Sequence, residues 1–94
     1  MDALIEQYRQ NILALAKSKG LRNVRVFGSM SRGDNTADSD VDFLVDLDPD
    51  CSALALGGFL MDVSDLLHRK VDVVTEKSLH PKLRERVLRE AIPL

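Results

Sequence analysis

Gly28-Ser29-Met30-Ser31-Arg32-Gly33-Asp34-Asn35-Thr36-Ala37-Asp38-Ser39-Asp40-Val41-Asp42 decides how this chain is read. On its left stands Val24-Arg25-Val26-Phe27, a β-branched and aromatic run that predicts a short strand. A glycine directly after a strand allows a tight turn and lets a ligand approach the backbone. A serine there can open a short helix whose free N–H groups hold anions. Gly28 to Asp38 is rich in turn residues and has room for one helical turn. On its right, Ser39 to Leu47 alternates and predicts a second strand. Val41, Phe43 and Val45 fall on one face of it, and Asp40, Asp42, Leu44 and Asp46 on the other.

Working outward, residues 2–19 predict a helix. Leu4, Ile5, Tyr8, Ile12, Leu15 and Ala16 recur at helical spacing, with Asp2 as N-cap and Gly20 as the stop. Leu54 to His68 predicts a second long helix despite Gly57-Gly58, with a stripe of Phe59, Leu60, Val63, Leu66 and Leu67. Val71-Asp72-Val73-Val74 is a third strand. Pro81 to Glu90 is a further helix, with Pro81 near its first position and Leu83, Val87 and Leu88 facing inward. Ala91 to Leu94 is an edge strand or a frayed end. Strands that alternate with helices in so short a chain define a small α/β layer.

Ninety-four residues with 45% hydrophobic and 30% charged side chains are expected to form one domain over residues 1–94, without repeat or linker. No run approaches 18 apolar residues, and the acidic start Met1-Asp2-Ala3-Leu4-Ile5-Glu6 does not suit a signal peptide. One cysteine, Cys51, excludes an internal disulfide, so a cytoplasmic location is the expectation. The formal charge of −2 argues against direct nucleic-acid binding, which usually needs a basic patch. From Gly33 to His68 there are nine aspartates and no glutamate, lysine or arginine. Aspartate in such surplus suggests turns, caps or cation ligands rather than a solvated helix surface.

Asp40 and Asp42 project from one strand face with Cα atoms about 6.5 to 7 Å apart. Carboxylates so placed repel unless a cation joins them, and all-oxygen ligands suit Mg²⁺, which adds waters and substrate phosphates. Taken alone, Asp-x-Asp is better explained by an exposed strand face. Arg32 can reach a phosphate bidentately, brace an aspartate, or lie on the surface. Asp72 is poorly placed by strand propensity. It joins Asp40 and Asp42 if the third strand lies beside the second, and otherwise faces solvent.

Rival motifs fail on spacing. Gly28 and Gly33 have P-loop separation, but Asp34-Asn35 follows where Lys-Ser/Thr is required. Asp38 to Asp42 starts like an EF-hand loop, yet Phe43 and Pro49 occupy its glycine and glutamate positions. His68 and His80 have no second cysteine for a zinc site and read as surface residues.

The combination resembles the nucleotidyltransferase superfamily of the DNA polymerase beta type, whose signature is Gly-Ser, ten residues, Asp-x-Asp, and a later carboxylate on a strand. Gly28-Ser29, Met30 to Ser39, Asp40-Val41-Asp42 and Asp72 fit without a gap, with Arg32-Gly33 and Ser39 as usual filling. Length and element order are similar to the minimal nucleotidyltransferases, or MNT domains. The resemblance implies a mixed sheet of three to four strands flanked by helices. It implies two Mg²⁺ ions on Asp40, Asp42 and Asp72, and ATP held at Gly28 and Ser29, with Arg32 and Ser39 as further nucleotide contacts. It also implies an antitoxin that transfers AMP to a tyrosine of a HEPN-type ribonuclease toxin. The competing expectations are a binding module that neutralises its partner by covering it, and a small-molecule nucleotidyltransferase of the aminoglycoside type. With no residues left for a second domain, the base and acceptor pockets are expected to be shallow or completed by a partner.

Overall fold

The computed structural model describes residues 2–94. In chain order it contains α1 (Ala3–Ser18), β1 (Leu21–Phe27), α2 (Ser29–Arg32), β2 (Val41–Leu47), α3 (Leu54–Leu67) and β3 (Val71–Val74). A 3₁₀ turn (Glu76–Ser78), α4 (Pro81–Glu90) and β4 (Ile92–Pro93) complete it. The four strands form one mixed sheet in the order β3-β2-β1-β4. β1 runs antiparallel to β2 and β4, while β2 and β3 are parallel and joined through α3. The expected α/β fold with a small mixed sheet is therefore the observed one.

One face of the sheet carries the core. Val41, Phe43 and Val45 are fully buried there, as the alternation predicts, together with Val26. Ile5, Ile12 and Ala16 of α1 and Phe59, Val63 and Leu67 of α3 complete the cluster. Phe43 and Phe59 meet edge to face with ring centroids 5.7 Å apart, the arrangement that aromatic quadrupoles favour. Asp2 caps α1 as expected, its carboxylate accepting from the Leu4 N–H at 2.8 Å. His80 caps α4 through Nδ1, which accepts from the Lys82 N–H at 3.1 Å. His68 ends α3 in the left-handed conformation.

Three expectations need correction. β1 begins at Leu21 rather than Val24, because a bulge between Arg22 and Arg25 interrupts the alternation. β2 begins at Val41, and Ser39 and Asp40 belong to the loop before it. On α4 only Val87 is buried; Leu83 and Leu88 are exposed, since that helix packs along a narrower line than its periodicity allows.

Candidate active site

The putting-together of the site begins with Gly28. It has φ 73° and ψ −150°, a region open essentially to glycine alone. A Cβ built there would lie 2.5 Å from Asp42 Oδ2, so the turn admits the carboxylate only because no side chain exists. Opposite strand ends cause this approach: Phe27, the last residue of β1, pairs with Asp42 across the antiparallel ladder. After Gly28 comes α2, four residues pinned to the core by the fully buried Met30. Gly33, at φ 80° and ψ 11°, ends it.

Asp72 is the direct cross-strand partner of Asp42 in the parallel β2–β3 register, which puts their side chains on the same face about 5 Å apart at Cα. Both readings left open for Asp72 hold in part: it stands beside Asp42, and it is exposed on the edge strand β3. Asp42 is half-buried, and its carboxyl is pushed above the usual carboxylate range. Burial is the main cause, followed by repulsion from Asp72 and then Asp40. Asp40 stands just before β2, half-exposed, with Lys70 Nζ 3.9 Å from its carboxylate.

These groups suit a hard cation. All the donors are carboxylate oxygens, and their mutual repulsion is what a divalent ion relieves. Among the described residues no three metal-ligating side chains converge into a ready-made cage. Mg²⁺ does not require one, because it keeps waters and completes its shell with substrate phosphates.

Arg32 bridges two acids. Its Nε donates to Asp34 at 3.1 Å and its Nη1 to Glu90 at 2.8 Å. Glu90, then Asp34, holds the guanidinium pKa above its ordinary value. Ser39 Oγ accepts from the Thr36 N–H at 2.7 Å and so shapes the loop that delivers Asp40. Two contributors escape local sequence reading. Arg69 Nη2 donates to the Ser39 carbonyl at 2.5 Å and to that of Thr36 at 3.1 Å, bracing the same loop. Glu90 reaches the site from α4 and adds to the charge felt by Asp42. Each lies 30 or more residues from its partner in sequence, so no short motif reports it.

A cleft of about 500 Å³ lies at the other end of β2, lined by Arg22, Asp46, Asp48, Cys51 and Lys77 among others. It contains none of the site residues expected from sequence. Its Arg22 is paired to Asp48 at 2.6 Å, and Asp46 receives Arg25 at 2.9 Å. The turn and the acids singled out from sequence lie at the open acidic corner, away from this cleft. No helix among the described residues is long and apolar enough to cross a membrane.

Comparison with known proteins identifies the family. The family described as Nucleotidyltransferase domain matches residues 5–94. The protein adenylyltransferase MntA of Thermococcus cleftensis is 40% identical over 73 residues, covering 78% of this chain and 74% of that protein. A solved structure assigned as a minimal nucleotidyltransferase superposes with a TM-score of 0.86 at 43% identity, over 100% of this chain and 97% of the other. A chain from the structure of the tri-AMPylated Shewanella oneidensis HEPN toxin in complex with MNT antitoxin gives a TM-score of 0.70. At 20% identity, over 94% of this chain and 69% of that one, this last likeness concerns the fold alone. With the glycine turn and the acidic corner in place and the family matched along nearly its whole length, the chain belongs to the nucleotidyltransferase domain family, in its minimal form.

Proposed function

We propose that this chain is a protein adenylyltransferase that moves AMP from ATP to a tyrosine hydroxyl of a HEPN-type toxin and so acts as that toxin's antitoxin. The observation that carries this reading is the approach of Asp42 to the Gly28 backbone with Asp72 directly beside it. A phosphate-accepting turn and clustered carboxylates thus meet at one corner. Support for a protein acceptor comes from the relative named a protein adenylyltransferase, and for a HEPN partner from the fold shared with a chain of an AMPylated toxin–antitoxin complex.

Asp40, Asp42 and Asp72 would hold two Mg²⁺ ions, which when bound supply charge stabilisation to the attacking oxygen and the pyrophosphate leaving group. The chain's own residues do the rest. The Gly28 turn leaves room for phosphate oxygens, and Ser29 offers its hydroxyl and the first N–H of α2. Arg32 adds positive charge on the same turn, and Ser39 keeps the Asp40 loop in shape. Asp72 is exposed on the outer strand β3, where an acceptor can arrive, and takes the proton of its hydroxyl. The acceptor oxygen bonds to the α-phosphorus as the bond to pyrophosphate breaks. A phenol, with a pKa of about 10, gives up its proton more readily than a serine hydroxyl.

Intact-mass spectrometry after incubation with ATP and Mg²⁺, with and without a HEPN protein encoded beside this chain, tests the proposal. The expected result is a gain of whole AMP units on the HEPN protein, abolished by Asp42→Asn. AMP found only on this chain or on added small molecules refutes it.

A further inference from the structure

We infer that Glu90 is a positioning residue that presents the Arg32 guanidinium to the phosphates of the nucleotide. Glu90 ends α4, and two residues later Ile92 and Pro93 pair with Val26 and Arg25 of β1. Its backbone is therefore anchored beside the strand that leads into Gly28. Its side chain is only 16% exposed, against 39% for Arg32. One carboxylate oxygen takes Arg32 Nη1 at 2.8 Å, while the other has Arg86 Nε at 3.6 Å, so the acid is itself held from its own helix.

Arg32 is thus fixed at two points, Nε on Asp34 and Nη1 on Glu90. Among the described residues Nη2 has no hydrogen-bond partner. An arginine already stripped of rotamer freedom binds a phosphate at lower entropic cost than a free one. The Arg32 backbone N–H donates to the Gly28 carbonyl at 3.1 Å, and Gly28 is the residue against which the Asp42 carboxylate lies, so the pair stands at the turn beside the acidic corner. A fourth acid near three others carries an electrostatic cost, and an ion pair whose arginine is more than a third exposed contributes little to stability. Orientation of Arg32 is what this arrangement gains.

The inference rests on the nucleotide reading above, and its test separates the two. Calorimetry would measure binding of a non-hydrolysable ATP analogue, with Mg²⁺, to wild type, Glu90→Gln, Arg32→Ala and the double variant. Loss of a charge-assisted contact predicts roughly tenfold weaker binding for Glu90→Gln. The double variant should bind no more weakly than Arg32→Ala, because Glu90 acts only through Arg32. Wild-type affinity in Glu90→Gln, tighter binding, or losses that multiply in the double variant would overturn the inference and leave the nucleotide reading standing. A wild-type chain that binds no analogue would overturn both.

Discussion

Gly28 and Gly33 bracket α2 with similar positive φ, 73° and 80°, yet the structure assigns them different costs. Gly33 lies in the left-handed helical region, and a Cβ added there meets nothing within 4 Å. Gly33→Ala should therefore cost only the backbone penalty, about 1 kcal/mol. Gly28 combines a glycine-only conformation, worth about 2 kcal/mol or more, with the 2.5 Å approach of Asp42 Oδ2. Either the turn or the carboxylate must shift, adding about 1 kcal/mol or more in contact strain. For a domain of this size each kcal/mol lowers Tm by about 4–8 °C. Gly33→Ala should then melt about 4–8 °C below wild type and Gly28→Ala at least about 12 °C below. Parallel thermal unfolding by circular dichroism provides the comparison, and AMP transfer measured well below both Tm values adds a second readout. Gly33→Ala should retain transfer; Gly28→Ala should lose it even where folded, because Asp42 is displaced. Equal Tm losses, or a folded Gly28→Ala with full transfer, would refute the account of Gly28 as the seat of Asp42.

Asp42 predicts a pH effect of definite sign. Its carboxyl titrates higher folded than unfolded, so the folded state holds the proton more tightly, and metal-free stability falls as pH rises through the range from the usual carboxylate value to the raised one. Asp42→Asn should flatten that dependence and raise metal-free Tm at neutral pH while abolishing transfer. A lower Tm for Asp42→Asn at pH 7 would contradict the repulsion argument. Arg69→Gln removes both hydrogen bonds that hold the Thr36 and Ser39 carbonyls, and about 1–2 kcal/mol of stability with them. The stabilisation by Mg²⁺ and ATP should shrink in that variant, and an unchanged ligand-induced Tm shift would show that the loop needs no brace.

What the sequence made legible follows a physical line. β3 is read to the residue, because three valines in four positions favour a strand despite Asp72 and a charge-rich turn precedes it. Val41, Phe43 and Val45 of β2 keep the expected two-residue period, but Leu44 on the opposite face is fully buried as well, so the burial of that face was not legible in the alternation. The start of β1 is hidden, since a bulge lies between Arg22 and Arg25 with Asn23 inside it at φ 52°, and no periodicity survives that. Leu83 and Leu88 mislead for a different reason: helical spacing marks an apolar stripe but not whether a surface exists to cover it. In the site, the turn and the acids are local and visible in the chain. Arg69 and Glu90 act across the tertiary fold, through a carbonyl and a guanidinium, and such contacts leave no spacing to count.

The sheet's two outermost strands bear on self-association. β4 is two residues long and one of them is Pro93, which has no N–H to offer an incoming strand. β3, on the opposite border, is four residues long and carries the exposed Asp72. Short borders, one interrupted by proline and the other charged, discourage the strand-to-strand templating by which open sheets polymerise. Asp72 thereby protects the chain from its own copies as well as standing beside Asp42. An inactive form made by replacing it with an apolar residue would strip that border of its charge, whereas asparagine would keep it polar.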